Sequence, residues 1–259
     1  MKREELLSGL KKLYLNAVAR DYYDTARECE KQNKTYEQYL ACLVDNELRD
    51  KERLRNERLL KESKLPLVKL VEEFEFGGRT GVTLQQVTRL CDGEFVRSAG
   101  NVVFYGSFGV GKSHLAMAIT RKLCEQNLRC LFTSTQALIN DLVAAQKTLN
   151  IATLFKRLDR YDLLVLDELG YTPQNQEGAD LFFQLISQRY ERRSVMITTN
   201  LTYSEWEKVF LSPITTAAAV DRIIHNCETF NIQGPSWRAE AAKKRKNNRQ
   251  TVKDELATV

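Results

Sequence analysis

The segment GSFGVGKS, residues 106–113, constrains this chain more than any other stretch, because it fits G-x-x-x-x-G-K-[ST] at every fixed position. An apolar run precedes it (NVVFY) and an amphipathic one follows (HLAMAITRKL), which is the strand–loop–helix setting a phosphate cradle needs. Backbone amides converge on phosphate oxygens only where glycines leave out side chains and tolerate positive φ. The helix that follows points its positive dipole end at the same anion. The spacing therefore predicts an ATP cradle formed by Gly106, Ser107, Phe108, Gly109, Val110, Gly111, Lys112, Ser113 and His114. Lys112 would reach the β- and γ-phosphates, and the Ser113 hydroxyl would ligate Mg²⁺.

Short apolar runs recur downstream: NVVFYG (101–106), RCLFTS (129–134), YDLLVLDE (161–168), SVMITTN (194–200) and CETFNI (227–232). Separated by amphipathic stretches, they read as buried strands alternating with helices, hence an α/β fold with a parallel sheet covered on both faces. Residues 1–65 lack such runs. Leu6, Leu10 and Leu13 recur at helical spacing, and Thr35-Tyr36-Glu37-Gln38 has the form of a capping box opening a second helix. Tyr36, Leu40, Leu43 and Leu54 would line its apolar side, and Glu57 and Lys61 stand in the favourable i, i+4 order. The expected organisation is an all-helical domain at 1–65, an ATPase domain at 66–238 and a mobile basic tail at 239–259.

Charge supports that division. Residues 1–65 carry 15 Lys+Arg against 13 Asp+Glu, residues 66–234 carry 17 against 18, and residues 235–259 carry 7 against 3. The positive excess thus lies at the ends, outside the nucleotide motifs, and suits either a polyanionic partner or a solvated surface. No apolar run approaches the roughly 20 residues of a bilayer span, and the charged start MKREELLSGLKK lacks the apolar segment of a secretory signal, so a cytoplasmic protein is expected. The six cysteines show no CxxC pair, and His114 and His225 lie far apart; buried reduced thiols are expected rather than a metal site.

Two further strand ends carry chemistry. LLVLDELG (163–170) delivers Asp167 where a carboxylate supports Mg²⁺ from the second side, and Glu168 where an acid orients and deprotonates an attacking water; an exposed strand-end acid is the alternative. VMITTN (195–200) ends in Asn200, an amide suited to the γ-phosphate and the water. The three elements in this order mark an AAA+ type ATPase that hydrolyses ATP, whereas a small-molecule kinase would want a substrate lid. Arg222, in AAAVDRIIHN, suits an arginine donated to a neighbouring subunit's nucleotide, the alternative being a surface pair with Asp221. Arg238, in GPSWR, is a weaker candidate for touching nucleotide within its own subunit.

The string from Tyr161 to Phe210 resembles the IstB-type helper ATPases of bacterial insertion sequences. The marks are Asp167-Glu168-Leu169-Gly170-Tyr171 with Pro173, Phe182-Phe183-Gln184-Leu185-Ile186, Arg189-Tyr190-Glu191, Thr199-Asn200 and Glu205-Trp206, then VDRIIHN and GPSWR. EEFEF (72–76) stands at the family's acidic-aromatic approach to the ATPase domain. Phe108 replaces a frequent proline, and Ser113 a threonine, without altering the chemistry. The group is similar to DnaC-type helicase loaders and DnaA initiators. The resemblance implies an AAA+ P-loop fold and an ATP-dependent regulator of transposition. Such a protein self-associates on duplex DNA with little sequence preference, bends it, and engages its cognate transposase. A helicase loader acting on single-stranded DNA is the alternative. For DNA phosphates the candidates are Lys2, Arg3, Lys11 and Lys12; Arg53, Arg55 and Arg58; and Lys147, Lys156, Arg157 and Arg160, the last group in the interval where the related initiators carry a DNA-facing helix.

Overall fold

A computed structural model of the chain describes residues 2–171 and 175–237, so Pro173, Arg238 and the 239–259 tail lie outside the described residues. The chain divides into two compact units, one ending at Arg58 and the next beginning at Leu59.

In the first unit, α1 (Arg3–Lys12) and α2 (Asn16–Lys31) precede α3 (Tyr36–Glu62), whose last turn belongs to the second unit. The Thr35 capping box is formed: Thr35 N donates to Gln38 Oε1 (2.9 Å) and Gln38 N to Thr35 Oγ1 (3.2 Å). The buried stripe of α3 differs from the expected one. Leu43 is buried, but Tyr36, Leu40 and Leu54 are exposed. The stripe runs instead through Tyr39, Leu43 and Glu47. The Tyr39 hydroxyl donates to the Tyr22 carbonyl (3.0 Å), and the buried Glu47 carboxylate accepts from Ala17 N (2.8 Å) and Val18 N (3.0 Å) at the start of α2. A carboxylate holds a core position there because a helix N-terminus satisfies it. Glu57 pairs with Arg53 (2.6 Å), which also holds Asp50 (2.9 Å).

In the second unit the five strands coincide, within two residues, with the five apolar runs: β1 (Asn101–Tyr105), β2 (Cys130–Ser134), β3 (Leu163–Leu169), β4 (Ser194–Thr199) and β5 (Cys227–Asn231). Among the described residues they form one parallel sheet in the order β2-β3-β4-β1-β5. The helices between and before them are α4 (Leu84–Cys91), α5 (Glu94–Arg97), α6 (Lys112–Glu125), α7 (Thr135–Lys147), α8 (Ile151–Leu158), α9 (Gln176–Arg189), α10 (Glu207–Phe210) and α11 (Pro213–Ile224). Strand alternation sorts the core into two clusters. Val102, Phe104, Val165 and Met196 pack with α4 and α6 through Val87, Leu90, Leu115, Ile119 and Leu123. Val103, Leu164, Leu166, Val195 and Ile197 pack with α7, α9 and α11 through Leu138, Leu142, Phe182, Ile186 and Ile223. The expected α/β sandwich is thus the observed one. Ligands bind outside the carboxyl ends of such strands, and β1, β3 and β4, which carry the three motifs, are neighbours at the sheet's centre.

Arg189 serves this frame. It is only 2% exposed and donates to the carbonyls of Leu158, Tyr161, Asp162 and Ser194 at 2.9–3.3 Å. Burial pushes its guanidinium down to about 9. All six cysteines are free; Cys29, Cys124 and Cys130 are buried, and Cys42, Cys91 and Cys227 half-buried. Among the described residues, no helix is long and apolar enough to cross a membrane.

Candidate functional site

Beyond β1 the chain turns through residues 106–111 into α6, and its three glycines sit at positive φ with no room for a Cβ, which at Gly106 (φ 144°) would lie 2.1 Å from the Ile232 carbonyl oxygen. Gly109 (φ 76°) would drive a Cβ to 2.1 Å from Ser236 Oγ, and Gly111 (φ 103°) would drive one to 2.5 Å from Phe74 Cε2. The loop is therefore pressed between the EEFEF lead-in and the residues of GPSWR. Lys112 Nζ donates to the carbonyls of Gly106 and Ser107, each at 2.8 Å, so a phosphate ligand must draw the ammonium from the loop's own acceptors. A cleft of about 600 Å³ opens here, lined by Lys112, Ser113, His114, Glu168 and Asn200, with Phe74, Met117 and Trp237 on its apolar side. His114 Nε2 lies 2.9 Å from the Leu70 carbonyl, tying α6 to the lead-in.

A β-bulge places Glu168 in the lining of this cleft and Asp167 against two of its lining residues, Ser113 and Thr198. Leu166 is registered with Ile197, and Leu169 with Thr199, so Asp167 and Glu168 together oppose Thr198. In a regular strand, consecutive side chains point to opposite faces. Here Glu168 adopts φ 60°, a left-handed conformation uncommon for a non-glycine residue, and the alternation breaks. Asp167 Oδ1 accepts from Ser113 Oγ (2.7 Å) and from Thr198 Oγ1 (2.5 Å). Thr198 Oγ1 also accepts from Glu168 N (3.0 Å), and Thr135 Oγ1 donates to the Asp167 carbonyl (3.0 Å).

Asn200 lines the cleft, and its buried Oδ1 has no hydrogen-bond partner within the described residues. Arg222 lies outside the cleft: it donates to the Ala218 carbonyl (2.8 Å) and sits over the Phe183 ring at 5.2 Å, without engaging Asp221. One residue that sequence reasoning missed joins all sides of the cradle. Arg79, 7% exposed, donates to the carbonyls of Val110 (3.1 Å), Glu75 (3.2 Å) and Pro235 (3.3 Å), and stacks 4.1 Å from the Trp237 ring centroid. Trp237 N in turn donates to the Gly109 carbonyl (2.9 Å). A lone arginine between two motifs carries no periodic signal.

The donor set fits Mg²⁺ held with a nucleotide. Ser113 Oγ and Asp167 Oδ1 already converge, and Mg²⁺ binds through one or two carboxylates plus phosphate oxygens rather than a protein cage. Accordingly, no cluster of three His, Cys, Asp or Glu side chains is needed, and none is found among the described residues.

A parallel sheet in this strand order, with a phosphate loop after β1, paired acids on β3 and a polar end on β4, defines the AAA+ class of P-loop nucleotide-binding proteins. Consistent with that class, the solved DnaC helicase loader shares the fold with a TM-score of 0.52 at 24% identity, over 58% of this chain and 88% of that one. The family model of the IstB-like ATP binding proteins matches residues 8–246, and the chain belongs to that family. An insertion sequence ATP-binding protein of Sinorhizobium fredii is 37% identical over 225 residues, 86% of this chain and 76% of the relative. The ATP-binding protein of insertion sequence IS21 from Pseudomonas aeruginosa is 33% identical over 241 residues, 93% and 90% respectively.

Proposed function

We propose that this chain is the ATP-hydrolysing helper of an insertion sequence, which assembles on duplex target DNA, bends it, and recruits or stimulates its partner transposase. The observation that carries this reading is the likeness to insertion sequence ATP-binding proteins over 86–93% of the chain, and the gathering of Lys112, Ser113, Glu168 and Asn200 around one cleft supports it.

In this reading Lys112 and the loop amides bind the ATP phosphates, and Ser113 and Asp167 hold Mg²⁺, which when bound neutralises charge on the phosphate oxygens. Glu168 takes a proton from water as the water oxygen bonds to the γ-phosphorus. The bond from that phosphorus to the bridging oxygen breaks, releasing ADP and phosphate. Asn200 orients the γ-phosphate and the water. Arg222, placed away from its own cleft, is the charge offered to a neighbour's nucleotide, which makes hydrolysis a property of the assembly. Lys147, Lys156, Arg157 and Arg160 are exposed on and after α7 and α8 and suit contact with DNA phosphates. In the first unit Arg53 is occupied by two carboxylates, which weakens its candidacy. Arg238 is a further candidate for touching nucleotide within its own subunit.

The test is reconstitution with the transposase of the same element. ATP-dependent co-purification and stimulated strand transfer are expected, with tighter binding to duplex than to single strands. A single-strand preference with no transposase contact would favour a helicase loader and refute the reading.

A further inference from the structure

We propose that Thr198 is the positioning residue that sets the paired acids for hydrolysis, one hydroxyl fixing both the side chain of Asp167 and the backbone of Glu168. The inference rests on the reading of Asp167 as the Mg²⁺ support and Glu168 as the base.

The geometry is that of the bulge. Two residues of β3 face one of β4, and the facing residue is Thr198, only 1% exposed at its place beside the cleft. Its hydroxyl has one proton and two lone pairs, and both kinds of capacity are used. The proton goes to Asp167 Oδ1 at 2.5 Å, and a lone pair receives Glu168 N–H at 3.0 Å. The second contact holds an amide whose own residue sits at φ 60°, in a conformation that persists only where the surroundings over-determine it. The first contact orients the oxygen that Ser113 also donates to, so the carboxylate is held from α6 and from β4 at once. Thr135 fixes the same residue's main-chain carbonyl and leaves the side chain to Ser113 and Thr198. Valine at 198 would fill the same volume but neither donate nor accept, freeing the Asp167 rotamer and leaving the Glu168 amide unpaired. Serine would keep both bonds.

The full-length chain is measured as wild type, Thr198→Val, Thr198→Ser and Glu168→Gln. Two readouts are taken: ATP hydrolysis under assembling conditions with DNA, and binding of a fluorescent ATP analogue across a Mg²⁺ titration and in EDTA. Thr198→Val is expected to lower kcat about 10- to 100-fold with KM changed less than about threefold, since what it loses positions groups used in the transition state. The Mg²⁺ needed for half of the metal-dependent gain in affinity should rise roughly tenfold, as for lost support behind a metal ligand. Affinity in EDTA should be unchanged, and Thr198→Ser should recover most of the lost rate. Thr198→Ala, which cannot clash in the core, carries the same expectation should Thr198→Val fold poorly. Wild-type kcat and Mg²⁺ dependence in Thr198→Val or Thr198→Ala, beside an inactive Glu168→Gln, overturns the role of Thr198 and leaves the acids in place. Wild-type kcat in Glu168→Gln overturns the assignment of the base, and the inference with it.

Discussion

Replacing Arg79 with leucine removes a side chain that joins the lead-in, the phosphate loop, Pro235 and Trp237. Its three hydrogen bonds to carbonyls measure 3.1–3.3 Å, at the long end of the range, so each is counted below the roughly 1.5–3 kcal/mol of a charged donor. Stacking on Trp237 at 4.1 Å adds roughly 0.5–1 kcal/mol. Leucine restores part of the buried contact, which leaves about 2–3 kcal/mol of lost restraint on Val110 and its neighbours. A loop that must be ordered by its ligand binds it more weakly, so ATP affinity should fall about 30- to 140-fold at 1.4 kcal/mol per tenfold. Fluorescence anisotropy with an ATP analogue measures the loss, and hydrogen exchange at the Val110 and Gly111 amides should quicken in parallel. Arg79→Lys should recover little, because one ammonium cannot serve three diverging carbonyls. Affinity within twofold of wild type in a well-folded Arg79→Leu protein would refute the clamp.

Three other outcomes are expected. Lys112→Ala should weaken ATP binding by more than about 100-fold while leaving the melting temperature within a few degrees, because its bonds to the Gly106 and Ser107 carbonyls lie within the phosphate loop itself; retained affinity would refute the cradle assignment. Arg222→Ala should keep ATP affinity but lower hydrolysis at least about 100-fold in the DNA-bound assembly, and equal loss in dilute protomers would exclude a residue acting across subunits. Arg189→Leu leaves four carbonyls without their buried donor and should cost about 3–4 kcal/mol, read as a lower denaturation midpoint at unchanged ATP affinity.

The sequence announced the strands because each is a short apolar run bounded by polar residues, a local signal that even β5, with its exposed Thr229, retained. It put Ser113 in the first turn of α6, Asp167 near the end of β3 and Asn200 just past β4, because each stands at a fixed offset from an apolar run. What stayed hidden depends on register between distant strands. Nothing in LLVLDELG says that Asp167 and Glu168 will share one partner; that requires β4 to slip past β3 by a residue at Thr198. Arg79 was hidden for the same reason, since its acceptors come from residues 75, 110 and 235. The misread face of α3 has another cause. Apolar periodicity selects Leu40 and Leu54, while the stripe that is buried includes Tyr39 and Glu47, whose polar atoms are satisfied by α2.

The position of β1 between β4 and β5 also has a bearing on how the protein is made. Its partners are β4 and β5, paired at Val102–Met196 and Val103–Thr229, both translated long after it. A nascent chain that has already exposed the whole phosphate loop therefore still lacks both flanks of the strand that supports it, with Val102 and Phe104 uncovered. The ribosome must extend past Asn231 before that strand is enclosed on both edges. Nucleotide recognition in this fold is a late event of synthesis, and a fragment stopped short of β5 would present an unpaired apolar edge prone to aggregation.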